Sequence, residues 1–131
     1  MRALEVHTGQ RSQALDITRQ VDEAVGASGL DTGWCLVYVP HTTAAVAVNE
    51  AADPDVMADL LAALERMVPW QGPYRHGEGN SAAHVKSVLV GSSLTLPVSG
   101  GRLELGTWQG VFLMEFDGPR RRRVLVGVSP A

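Results

Sequence analysis

Three of the four histidines fall in one central stretch, His41 in PHTTAAVAVNE and His76 and His84 in YRHGEGNSAAH, each among small or polar residues. Imidazole titrates unaided near neutral pH and is the commonest metal ligand, so this stretch is where chemistry is expected. A catalytic zinc site takes three protein ligands and leaves one position for water or substrate, and three histidines would supply that set. The spacing H-x7-H fixes no geometry, unlike a helical HExxH, so metal binding and plain local hydrogen bonding both stay open.

Carboxylates Glu50, Asp53, Asp59 and Glu78 are available to orient the imidazoles or to hold a cationic substrate. Asp53 precedes Pro54 and reads as a helix cap, while Asp55 and Glu65 fall on the polar side of that helix and read as solvated. Asn49 and Glu50 directly follow the small apolar residues Ala44 to Val48, like the exit of a buried strand into a pocket. Thr42 and Thr43 would suit an anion at a strand end, near the positive ends of two helices. Trp108, in the turn Gly106 to Gln109, is expected to pack. Glu115 lies in an apolar strand and must be paired or face a polar cavity, with Arg122 on what reads as the adjoining strand as its natural partner. Cys35 shares an alternating face with Val37 and Val39 and reads as a small buried hydrophobe, and His7 reads as exposed.

The elements that must position these residues follow from periodicity and punctuation. Short strands are predicted over Ala3 to Val6 and Ala14 to Ile17, then a helix capped by Asp16 or Thr18 that puts Val21, Ala24 and Val25 on one face and ends at Gly29. Strands over Trp34 to Val39 and Ala44 to Val48 flank His41, Thr42 and Thr43. The clearest helix opens at Asp53-Pro54, carries Val56, Leu60, Ala63, Leu64 and Met67 as one stripe, and stops at Pro69. Trp70 to Gly79 reads as an irregular loop, followed by a helix capped by Asn80 or Ser81 and closed by Gly91. Strands over Leu94 to Val98, Arg102 to Leu105, Val111 to Phe116 and Val124 to Val128 complete a single α+β domain with antiparallel pairing.

At 131 residues and 45% hydrophobic content the chain can bury a core of its own. A net charge of -3 offers no general attraction to nucleic acid or an anionic membrane, and the run Arg120 to Arg123 reads as a solvated or self-association edge. One cysteine excludes an internal disulfide, and no segment reaches the ~20 apolar residues of a membrane span, so a soluble cytoplasmic protein is expected.

The stretches HTTAAVAVNEAADPDV, YRHGEGNSAAHVKSVLVG and LELGTWQGVFLMEFDGPRRRRV resemble the YjbQ-like family, whose members commonly carry the name secondary thiamine-phosphate synthase. The resemblance runs over nearly the whole chain from about Trp34. It implies a compact α+β domain with an antiparallel β-sandwich-like core and two to three helices, assembled as a homotrimer with pockets between subunits. It also implies a polar signature of His41, Thr43, Asn49, Glu50, Asp53, His76, Asn80 and His84, with Gly106, Thr107, Trp108, Gln109, Glu115 and Arg122. On this reading His41, His76 and His84 bind a divalent ion, with zinc expected and magnesium the alternative for a transferase reaction. Asn49, Glu50, Glu115 and Arg122 form the catalytic set, and Thr43, Asn80, Thr107, Trp108 and Gln109 contact substrate. The reaction implied joins a pyrimidine diphosphate to a thiazole phosphate and releases pyrophosphate. The alternative is a non-catalytic trimeric module that holds a small anionic metabolite or a protein partner in the same pocket. A ligand-dependent rise in thermal stability without turnover would mark it.

Overall fold

The computed structural model describes residues 1–131 as two antiparallel sheets packed face to face, with two of the three helices over the outer side of the smaller sheet. The larger sheet has the order β1-β8-β3-β5-β6, from Arg2–His7, Arg121–Pro130, Gly33–Tyr38, Ser93–Ser99 and Arg102–Leu103. The smaller has the order β2-β7-β4, from Gln13–Asp16, Gln109–Glu115 and Ala44–Glu50. This is the α+β sandwich that the turn signals and alternation imply.

Alternation explains the larger sheet. Cys35 and Val37 on β3 point inward with Val124 and Val126 on β8, and meet Val46, Val111 and Leu113 of the smaller sheet in one core. Helix α1 (Thr18–Ala27) adds Val21, Ala24 and Val25 to that core. Gly29, at φ 73°, follows the helix in the left-handed region, which is the conformation that favours glycine after a helix end. Strand β7 breaks the alternation because both its faces are covered: Phe112 and Met114 look outward onto Met57 of α2 (Pro54–Met67) and Ala83 of α3 (Ser81–Val90).

Three expectations shift. Strand β6 ends at Leu103, and β8 starts three residues earlier than its apolar run, at Arg121. The reason is that β8 is no edge. It pairs with β1 from His7↔Arg121 and with β3 as far as Gly33↔Pro130, so the arginines lie inside a ladder, with Arg121 and Arg123 exposed and Arg122 buried. Asp53 caps α2 as expected, accepting from the Asp55 N–H at 2.9 Å, but Asn80 makes no side-chain cap for α3.

Cys35 is fully buried, and burial, reinforced by the charge of Asp22, pushes its thiol up to about 11. The folded protein is therefore expected to resist alkylation by iodoacetamide near neutral pH and to label only when unfolded, as read by mass spectrometry; rapid labelling of the native protein would contradict this.

Candidate functional site

One end of the sandwich gathers residues that are far apart in the chain. His41, Thr42 and Thr43 connect β3 to β4, His76 and Glu78 lie on the loop before α3, Asn80 and His84 open α3, and Asp117, Arg120 and Arg122 belong to the β7–β8 turn and the start of β8. Together they line a cavity of about 400 Å³ that has no apolar side chain in its wall. The rings of His76 and His84 meet edge to face, with centroids 5.4 Å apart. The three histidines singled out in the sequence therefore do share one cavity.

One wall residue, Arg122, belongs to a buried ion pair with Glu115 behind the cavity. Glu115 is 0% and Arg122 3% exposed, and they stand on the inward faces of β7 and β8. These strands belong to opposing sheets, so the pair bridges the sandwich, whereas the sequence suggested adjoining strands. Arg122 grips the carboxylate with two nitrogens: Nε donates to Oε1 at 2.8 Å and Nη2 donates to Oε2. Nη2 also donates to the Thr43 carbonyl at 3.2 Å and to Thr43 Oγ1 at 2.9 Å, which ties the histidine-bearing turn to the pair. Nη1 has no protein partner and is not sealed from solvent, so it is the guanidinium nitrogen left for the cavity.

Asn80 adds a second unused group. Its Nδ2 donates to Asp117 Oδ2 at 2.9 Å, which fixes the orientation of the amide because a carboxylate accepts only from a donor. Its Oδ1 is then buried without any hydrogen-bond partner, the one such side-chain atom in the molecule. A residue that sequence reads as a helix cap has instead spent its side chain on Asp117 in the cavity wall. An orphaned acceptor of this kind carries a desolvation cost unless something brings it a donor or a cation.

His41 is held below its ordinary pKa, first by burial and then by the positive charges of Arg122 and Arg123, with Glu115 opposing. It is thus neutral near pH 7. Its Nε2 accepts the Arg123 N–H at 2.9 Å, so the ring proton sits on Nδ1. No three His, Cys, Asp or Glu side chains close around a single point as they stand.

The remaining predicted site residues lie elsewhere. Asn49 and Glu50 end β4, opposite Gly110 and Gln109, and Glu50 lies six residues from Ala44, or roughly 20 Å of extended strand. Glu50 instead lines a separate cavity of about 460 Å³ with Asp53, Met57 and Phe112. Asn49 Oδ1 accepts the Glu50 N–H, and Gln109 Oε1 accepts the Gly106 N–H, so both side chains brace their own turns. Thr107 and Trp108 sit in that second turn, and Trp108 is 64% exposed, contrary to the expected packing. Within one chain none of these residues lines the histidine cavity. Asp117 and Arg120 were missed in the sequence; only their position in the turn before Arg122 linked them to the site, and the pairing of Arg120 Nη2 with Asp117 Oδ2 at 3.0 Å depends on the turn's shape.

A small two-sheet α+β protein with an imidazole- and guanidinium-lined cavity at one end of its sandwich is the class that this geometry defines. The description "UPF0047 protein YjbQ-like" matches residues 2–131, and the chain belongs to that family. It is 47% identical over 123 residues to the UPF0047 protein YugU of Bacillus subtilis, covering 93% of each chain. It is 44% identical over 124 residues to the UPF0047 protein MJ1081 of Methanocaldococcus jannaschii, covering 95% of this chain and 90% of the relative. A crystal structure of an uncharacterized YjbQ/UPF0047 family protein from Clostridium acetobutylicum superposes with a TM-score of 0.97 at 46% identity, covering 98% of this chain and 100% of that one. A YbjQ-like protein of unknown function from Sulfolobus solfataricus gives 0.95 at 34% identity, over 99% and 96%.

Proposed function

We propose that this chain is a small metal-binding enzyme acting on a phosphorylated metabolite, with the joining of a pyrimidine diphosphate to a thiazole phosphate as the reaction to test first. The observation that carries the reading is the wholly polar cavity that brings three histidines together with Arg122 and with Asn80, whose Oδ1 is buried without a partner. A cavity walled by imidazole, guanidinium and carboxylate groups suits a guest that supplies both a positive and a negative end.

The donor set suits a borderline ion such as zinc, with nitrogen from imidazole and oxygen from an amide. His76 and His84 would hold it with Asn80 Oδ1. His41 would join after the Arg123 N–H releases Nε2. His76 is the ring with freedom to close the set, since it sits 44% exposed on a loop with Glu78 at 3.8 Å. A bound ion supplies charge stabilisation at a phosphoryl oxygen. Arg122 Nη1 would meet a second phosphoryl oxygen, Glu115 fixes that guanidinium in place, and the Nδ1–H of neutral His41 offers a donor to the departing side of the substrate.

Elemental analysis and zinc titration of single His→Ala variants test the ligand set. Loss of His76 or His84 is expected to weaken zinc at least as much as the ~10- to 100-fold that loss of an outer-shell partner costs, and loss of His41 is expected to cost least. Unchanged zinc in all three variants would overturn the assignment. Incubation with the two thiamine precursors tests the reaction, and product formation no faster than in buffer would remove it.

The same reading includes a homotrimer and a cytoplasmic location. Supporting self-association, β3 presents Trp34, Leu36 and Tyr38 on the outer face of the larger sheet, at 49%, 39% and 39% exposure. Light scattering at micromolar concentration is expected to give three times the chain mass of 14.0 kDa, and a monomer mass would exclude it. No helix is long and apolar enough to cross a membrane.

A further inference from the structure

The histidine cavity has a neighbour. His41, Thr42 and His84 also line a second cavity of about 450 Å³, completed by Ala44, Ser87, Val88, Gly91 and Ser92. Three residues belong to both walls, so the two spaces adjoin at His41, Thr42 and His84 as two lobes. Each is in the range of small-molecule sites, roughly 300–1,000 Å³.

The lobes differ in charge. The first carries Arg120 and Arg122 with Asp117 and Glu78, and the second has no ionic side chain beyond the two shared imidazoles. In the second lobe the hydroxyl of Ser87 is already spent on the Ala83 carbonyl at 2.8 Å, so beyond the imidazoles only the neutral hydroxyls of Thr42 and Ser92 remain to meet a guest. Val88, which lines it, is 82% exposed, so an apolar group docked there would remove an exposed hydrophobe from water. An anion in this lobe would find no guanidinium or ammonium to pair with. In the first lobe it would meet Arg122 Nη1.

We infer that the site takes a phosphate monoester of an uncharged organic group, with the phosphoryl end in the Arg122 lobe, the organic end against Val88, and His41 and His84 flanking the ester linkage. This rests on the reading that the cavity binds a phosphorylated metabolite, and it adds what the other half of that metabolite must be. The orientation also explains why the two imidazoles stand at the junction: they are the polar groups nearest the ester linkage, where a bond to phosphorus or to its bridging oxygen would be made or broken.

Isothermal titration of the zinc-loaded protein with inorganic phosphate and with phenyl phosphate tests the inference. Phenyl phosphate is expected to bind at least about tenfold more tightly than phosphate, in line with what apolar groups contribute in a fitted pocket. Val88→Trp, at an exposed helix position, would fill the second lobe. It is expected to erase that preference while leaving inorganic phosphate within about twofold and the melting temperature unchanged. Equal affinity for the two ligands in the wild type, or a preference that survives Val88→Trp, would overturn the two-lobe assignment while leaving phosphate recognition standing. Binding of neither ligand would remove the phosphorylated-metabolite reading and this inference with it.

Discussion

Replacing Glu115 with Ala is expected to cost about 3–5 kcal/mol of folding stability, the largest single-residue effect in the molecule. The carboxylate is completely buried and accepts from Arg122 Nε, Arg122 Nη2, the Thr8 hydroxyl at 2.8 Å and the N–H groups of Phe116 and Asp117 at 3.0 and 2.9 Å. Removing it strands a guanidinium inside the sandwich, and that uncompensated charge dominates the loss. A Glu115→Met, Arg122→Met double variant is therefore expected to be far more stable than either single change, because no charge is left buried. Urea denaturation of the wild type, Glu115→Ala, the two single Met variants and the double variant measures this, and a Glu115→Ala loss below about 1 kcal/mol would contradict the argument.

The same pair sets the acid limit of the fold. Burial pulls the Glu115 carboxyl upward, but the bonds from Arg122, Asp117 and Thr8 outweigh it and hold it below the usual range. A carboxyl lowered in the folded state contributes stability that is fully present above its unfolded value, ~4.3, and is lost as pH falls through the folded value. The wild type is thus expected to lose stability below about pH 4, more steeply than the double Met variant.

What the sequence made legible was local. Alternation in WCLVYV placed Cys35 and Val37 inward, Asp53-Pro54 opened a helix, and three histidines among small polar residues marked the cavity. What it hid depended on which elements become neighbours. Asn49 and Glu50 do leave a buried strand, but the end of β4 that faces the histidines is the other one, and only the pairing of β4 with β7 decides which end that is. The pairing of Arg122 with Glu115 was legible, but not that β8, placed between β1 and β3, sends Arg122 across to the opposing sheet rather than to an adjoining strand. Asn80 occupies a cap position, yet a carboxylate 37 residues away in the chain takes its amide. Each miss is a long-range partner overriding a local preference.

Lys86 is the clearest instance and carries the second large prediction. It lies within the apolar helix α3 and is 1% exposed, with its ammonium donating to Glu65 Oε2 on α2. Glu65, read from sequence as a solvated side of α2, is in fact that ammonium's counter-charge. The hydrogen bond from Lys86 holds its carboxyl below the ordinary range, and Arg11 and the Trp70 N–H act in the same direction. The partners are unequal, because the Glu65 side chain is 41% exposed and can return to water whereas Lys86 cannot. Glu65→Ala is therefore expected to cost about 2–3 kcal/mol, below the full cost of breaking a buried pair because solvent screens the outer partner. Lys86→Met, which removes the buried charge and keeps the volume, is expected to change stability by less than about 1 kcal/mol. The double variant should recover most of the Glu65→Ala loss. A cycle of four urea curves reads the coupling, and equal costs for the two single changes would show that the pair's burial is not what sets the energy.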